Sequence, residues 1–82
     1  LYSNSGEVNM PVGDTEAKLR ELRMAYSDGQ QDELDGLTVE YPEWWFNVRP
    51  SNTEPLLRLS VESKEAALTA QKVEELSKIL KS

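Results

Sequence analysis

Trp44-Trp45-Phe46-Asn47-Val48-Arg49-Pro50-Ser51-Asn52-Thr53-Glu54-Pro55-Leu56-Leu57-Arg58-Leu59-Ser60-Val61-Glu62 is the stretch on which the fold turns. Its first part, 44–49, is rich in aromatic and β-branched residues that suit a pleated, half-buried surface. In its last part Leu57, Leu59 and Val61 alternate with Arg58, Ser60 and Glu62, the period-two pattern of a strand with one charged face. The six residues Pro50 to Pro55 between them predict a hairpin. A proline at each end fixes φ and limits the freedom of the tip. The adjacent tryptophans must point to opposite faces, so both faces of the sheet carry aromatic area. Core or subunit packing is the expected use of these rings, because no basic residues are interleaved with them as base stacking would require.

The tip has a composition of its own. Ser51 and Thr53 carry hydroxyl donors, and Asn52 carries a carboxamide on a residue that tolerates a left-handed backbone. Arg49, at the end of the first strand, brings a planar fork that matches phosphate oxygens two at a time. Backbone N–H groups could converge there as an anion-holding nest. Arg58 lies on the returning strand and is expected to neutralise Glu54, which would otherwise repel a bound anion. Two readings of these residues stay open: an anion-binding loop, or a tight hairpin using turn-forming residues with its arginines solvated.

Outward from the hairpin, the rest reads as scaffold. Upstream, residues 6–12 alternate apolar Val8, Met10 and Val12 with polar Glu7 and Asn9, a short strand that Pro11 places at a sheet edge or strand end. Asp14 is placed to cap a helix reaching about Tyr26. Leu19, Leu22, Ala25 and Tyr26 share one face of it, Glu16 and Arg20 stand at i, i+4, and Asp28-Gly29 supplies the stop. Residues 27–36 are acidic, with Asp28, Asp32, Glu33 and Asp35, but lack calcium-loop spacing and are expected to be solvated. Leu37, Val39 and Tyr41 mark another strand, turned by Pro42-Glu43. Downstream, Ser63 is expected to cap a final helix with the stripe Ala66, Ala70, Val73, Leu76, Ile79 and Leu80; Glu65 lies near its start and Lys78 and Lys81 near its end. Strand, helix, three strands and helix predict an α+β fold: a mainly antiparallel four-stranded sheet with two helices packed on one face.

Composition bounds the function. The chain has 82 residues, 38% of them hydrophobic and 29% charged, which fits one folded domain too small for a deep enclosed pocket. It contains neither Cys nor His, which removes disulfides, thiolate chemistry and the commonest acid/base and metal-binding side chain. The net charge of −6 opposes a nucleic-acid or anionic-membrane surface, yet residues 44–61 hold Arg49 and Arg58 against Glu54 alone, a local balance of +1. No apolar run approaches the length of a membrane span, and no signal pattern opens the chain, so a cytoplasmic location is expected. The opening Leu1-Tyr2-Ser3 is what a piece of a longer protein would show.

The order of residues adds to this. Arg49-Pro50-Ser51-Asn52-Thr53-Glu54-Pro55, continued through Leu56-Leu57-Arg58-Leu59-Ser60-Val61-Glu62, resembles the C-terminal domain of the α-D-phosphohexomutase superfamily, most closely its phosphomannomutase/phosphoglucomutase branch. Ser5-Gly6-Glu7, Asp35-Gly36-Leu37 and Trp44-Trp45-Phe46-Asn47 fall in the order that resemblance expects, so it covers nearly the whole chain. It implies a TATA-binding-protein-like fold and a place as the fourth domain of an enzyme. That enzyme would move a phosphoryl group between the 1- and 6-positions of a hexose through a phosphoserine and a bisphosphorylated sugar, with magnesium. The domain would catalyse nothing alone. Arg49, Ser51, Asn52 and Thr53 would hold the phosphate that is not reacting, with Glu54 and Arg58 in support. The phosphoserine, the magnesium ligands and the sugar-specificity loop would belong to the other three domains. The resemblance further implies a mannose or glucose phosphate as the ligand, since Asn52 is glycine in the glucosamine-phosphate branch.

Overall fold

The computed structural model describes residues 3–33 and 36–81. Its elements run β1 (Ser3–Pro11), α1 (Thr15–Ala25), β2 (Gln30–Asp32), β3 (Leu37–Glu40), β4 (Trp44–Pro50), β5 (Leu56–Ser63) and α2 (Ala66–Lys81). The strands form one sheet in the order β1-β5-β4-β3-β2, with every neighbouring pair antiparallel. Helix α1 carries the chain from one edge of the sheet to the other. From there β2 to β5 meander back until β5 lies beside β1.

The α+β architecture is as expected, with five strands in place of four. The added strand, Gln30-Gln31-Asp32, falls inside the acidic stretch and pairs with Thr38 to Glu40. It has no apolar alternation to announce it, because it is an edge strand held by backbone hydrogen bonds. The acidic side chains around it have protein partners: Tyr41 donates to Asp28 (2.7 Å), and Arg23 pairs with Glu33. Asp35 lies outside the described residues.

The core lies between one sheet face and the helices. Leu37, Val39, Phe46, Val48, Leu57, Leu59 and Val61 point into it from the strands, and Leu22, Tyr26, Leu76 and Leu80 from the helices. Asp14 caps α1 as expected, accepting from the Ala17 N–H at 3.1 Å. The stop also falls where Asp28-Gly29 put it, with the Tyr26 N–H on the Leu22 carbonyl and the Gly29 N–H on that of Tyr26. Ala25 is exposed, however, and the ion pair on this helix is Lys18–Glu21 rather than Glu16–Arg20.

The face of α2 is rotated from the expected stripe. Thr69, Leu76 and Leu80 are buried and Val73 is half-buried, while Ala66 and Ala70 are exposed. Thr69 fits among apolar neighbours because its hydroxyl meets that of Ser63 at 2.6 Å and donates to the Ser3 carbonyl. Ser63 is accordingly not the helix cap. It ends β5 fully buried, and its hydroxyl accepts from the Glu65 N–H, one residue before α2 begins.

β1 starts at Ser3, earlier than the alternation of residues 6–12 suggests, and holds a bulge. Asn4 faces Glu62 and Glu7 faces Ser60, so two residues of β1 span a single one of β5. Gly6 takes φ +73 there, the left-handed conformation that glycine adopts without a Cβ clash. The extra residue reverses the alternation, so Val8 and Met10 turn inward while Glu7 turns to the open face. Among the described residues, no helix is long and apolar enough to cross a membrane.

Candidate functional site

The β4–β5 hairpin closes as its sequence predicts. Pro50 stands opposite Leu57, and the Ser51 N–H donates to the Leu56 carbonyl at 3.1 Å. A second tie comes from outside the hairpin, where the Val12 N–H donates to the Pro55 carbonyl at 3.0 Å. Inside the loop, the Thr53 N–H reaches the Ser51 hydroxyl at 3.3 Å, a local turn typical of serine. The tip is thus fixed at both ends while Asn52, Thr53 and Glu54 stay exposed.

A hollow of about 580 Å³ opens at this tip, lined by Gly36, Arg49, Pro50, Ser51, Asn52, Thr53 and Arg58. It brings together all four residues expected to hold an anion: Arg49, Ser51, Asn52 and Thr53. Both guanidinium groups are half-exposed and reach it from neighbouring strands, since Arg49 and Arg58 are direct partners in the β4–β5 register. No buried side-chain polar atom among the described residues lacks a partner. The concentration of donors at the hollow is therefore a surface feature, open to a ligand arriving from solvent.

Two details differ from the sequence reading. Arg58 forms its ion pair with Glu7, at 3.3 Å, and not with Glu54. The same carboxylate stands 3.8 Å from Arg49. In addition, no non-glycine residue among those described has positive φ, so Asn52 does not use its left-handed tolerance. With the Ser51 and Thr53 N–H groups already engaged, side chains carry most of what the loop offers an anion.

Sequence reasoning left Gly36 and Glu7 out of the site, quoting them only as marks of a resemblance. Gly36 takes φ +74, and a Cβ there would come within 2.5 Å of the Val48 carbonyl oxygen and 2.6 Å of the Arg49 Cβ. The residue lets β3 begin against the end of β4 and leaves room for the arginine. Its Asp-Gly context signals a turn; only the strand register shows that the turn abuts Arg49. Glu7 falls on the polar face that the alternation of residues 6–12 gives it; only the pairing of β1 with β5 shows that this face brings it to the arginines.

The hollow shares its arginines with a smaller depression of about 330 Å³ on the open face of the sheet, lined also by Glu7, Thr38, Trp45, Asn47 and Ser60. Trp45 is half-buried on that face and donates its indole N–H to Glu62 at 3.3 Å, whereas Trp44 lies in the core. Both sheet faces carry a tryptophan, as the tandem requires. Among the described residues no three carboxylates converge as a metal-binding group would need.

Comparison with known proteins adds independent observations. Residues 7–79 match the family described as phosphoglucomutase/phosphomannomutase, C-terminal domain. A phosphomannomutase of Escherichia coli is 44% identical over 83 residues, covering 98% of this chain and 18% of that protein. A phosphomannomutase of Methanocaldococcus jannaschii is 39% identical over 79 residues, covering 96% of this chain and again 18% of the relative. In three dimensions the chain is similar to a phosphoglucomutase/phosphomannomutase family protein of Burkholderia thailandensis. That likeness has a TM-score of 0.72 and 27% identity, and covers 99% of this chain and 18% of that one. The chain therefore spans less than a fifth of the length of the relatives it matches.

Proposed function

This chain belongs to the phosphoglucomutase/phosphomannomutase C-terminal domain family, and from that membership we propose that it is the phosphate-gripping domain of a four-domain phosphohexomutase. The parent enzyme would interconvert hexose 1-phosphate and 6-phosphate, through a phosphoserine and a bisphosphorylated sugar carried by its other domains. In this reading Arg49, Ser51, Asn52 and Thr53 hold the phosphate that is not reacting. Mannose and glucose phosphates are the ligands it favours.

The observation that carries the reading is that these four residues line one open hollow at a hairpin tip tied down at both ends. Phosphate presents oxygens on all sides. A guanidinium fork, two hydroxyl groups and a carboxamide meet that geometry as donors, and charge-assisted bonds to Arg49 add roughly 1.5 to 3 kcal/mol each. A loop fixed before the ligand arrives loses less entropy on binding. The domain's contribution is then positional. It keeps one end of the sugar still while the other end meets the phosphoserine, and it accelerates the reaction to the extent that the grip orients the transition state.

Magnesium would be held by the other domains in this proposal. The chain alone is accordingly expected to bind a hexose phosphate and to turn none over.

Titrating glucose 1-phosphate into the ¹⁵N-labelled chain tests the assignment. The amides of Ser51, Asn52 and Thr53 and the side-chain N–H groups of Arg49 are expected to shift together and saturate. Shifts confined to the N-termini of α1 and α2 would mean a generic anion effect and would remove the loop from the site.

A further inference from the structure

The loop hollow and the open face of the sheet meet at two side chains. Arg49 and Arg58 stand directly opposite each other in the β4–β5 register and line both concavities. Like charges so placed repel, and the pair needs a counter-charge to keep its geometry. Glu7 supplies it, with Oε1 3.3 Å from Arg58 Nη1 and Oε2 3.8 Å from Arg49 Nη2. Its position is asymmetric: Glu7 lines the open-face depression and not the loop hollow. Seen from the loop, the carboxylate stands behind the two arginines.

That position is built by the backbone. An unbroken strand would place Glu7 on the same face as Ser3 and Ser5, toward the core. The bulge at Gly6 turns it outward, and its pieces are separately secured. The Gly6 N–H donates to Asn4 Oδ1 at 2.7 Å, and the Val61 N–H donates to the Ser5 hydroxyl at 2.9 Å. Residues 4 to 6 thereby set the phase of the strand just before Glu7.

We propose that Glu7 is a positioning residue for the phosphate grip, bracing both guanidinium groups from behind so that Arg58 joins Arg49 as a second phosphate-holding arginine. The proposal rests on the reading of the loop as a phosphate site. Two effects of the carboxylate oppose each other. Bracing spares the ordering of two flexible side chains on binding, which is worth about a fivefold to tenfold gain in affinity. Repulsion between Glu7 and a phosphate on the far side of the arginines, across water and screened by salt, costs about twofold. Bracing is the larger effect.

The test compares the wild-type chain with Glu7→Gln, which keeps the size of the side chain at an exposed position, and with Arg58→Gln. Two quantities are read: the {¹H}-¹⁵N NOE at Nε of Arg49 and Arg58 without ligand, and the affinity for inorganic phosphate at constant ionic strength, followed at the Ser51 to Thr53 amides. In Glu7→Gln the arginine NOE values are expected to fall while backbone values and the melting temperature hold. Phosphate binding is expected to weaken about fivefold in that variant and about tenfold in Arg58→Gln. Unchanged arginine NOE values in Glu7→Gln would overturn the proposal, as would phosphate affinity equal to or tighter than wild type in either variant. If wild-type amides ignore phosphate, the loop reading fails by itself, and the ligand-free NOE values alone decide whether Glu7 orders the arginines.

Discussion

Strand β4 begins in one kind of polar environment and ends in another. At Trp44 and Phe46, aromatic rings fill the space beneath the helices. Tyr26 packs edge-on against Phe46 with centroids 5.1 Å apart, and Tyr41 stacks on Trp44 at 5.0 Å. The phenol groups there meet protein partners: the Tyr26 hydroxyl donates to Glu75 at 2.6 Å and the Tyr41 hydroxyl to Asp28, while Lys72 lies 4.8 Å from the Trp44 ring. Five residues along, at Arg49 to Thr53, donors gather around an open concavity. Polar groups that complete one another inside the fold hold structure together. Donors that line an open concavity stay accessible to a ligand from outside, even where neighbours such as Glu7 already brace them.

The largest effect is expected at the first end. Phe46 is fully buried, and Phe46→Ala should destabilise the chain by about 4 kcal/mol in urea denaturation, a large part of what a domain this small possesses. At the other end the prediction reverses. Arg49→Ala should leave stability within about 0.5 kcal/mol of wild type, because the side chain is half-exposed. In the phosphohexomutase proposed as its parent, the same change should lower kcat/KM roughly a hundredfold. Full mutase activity in that variant would erase the distinction between the two ends.

Two glycines sharpen it further. Gly36 and Gly6 have nearly the same φ, +74 and +73, yet a Cβ at Gly36 meets the backbone and Cβ of the site strand while one at Gly6 meets nothing within 4 Å. Gly36→Ala should therefore cost about 2 kcal/mol or more and disturb the loop amides, and Gly6→Ala about 1 kcal/mol from the backbone term alone. Equal penalties would mean that contact with Arg49 contributes nothing.

How much of this was legible from residues alone follows the same division. The β4–β5 hairpin was readable because period-two alternation and two prolines are local signals, and the four loop residues lie within it. The Asp14 cap was readable for the same reason. Strand β2 was not, since Gln30 to Asp32 pair through their backbone at an edge and no side-chain pattern records that. On α2, counting apolar residues chose Ala66 and Ala70 over Thr69, whose hydroxyl becomes compatible with burial only once Ser63 and the Ser3 carbonyl arrive from other elements. Glu7 and Gly36 were not read into the site because only strand pairing brings them to Arg49 from far along the chain.

The smallest effect concerns pH, and its sign follows from the first end of β4. Burial first, and then the hydrogen bond to the Glu75 carboxylate, push the Tyr26 phenol above its ordinary value; burial and Asp28 do the same to Tyr41. Below pH about 10, phenols are neutral in folded and unfolded chains alike, and whatever the packed hydroxyls contribute is fully present. Above that pH the unfolded chain ionises while the folded one resists, so stability should fall by up to about 1.4 kcal/mol per pH unit for each phenol so held. The informative quantity is the difference between variants. Tyr26→Phe should cost about 1 kcal/mol at pH 7, where it removes the bond to Glu75, and should show a shallower decline between pH 9.5 and 11 in urea titrations. Parallel curves for the two proteins would mean that the Tyr26 hydroxyl is not held as tightly as its 2.6 Å contact implies, and the contrast between the closed and open ends of the strand would then rest on the rings alone.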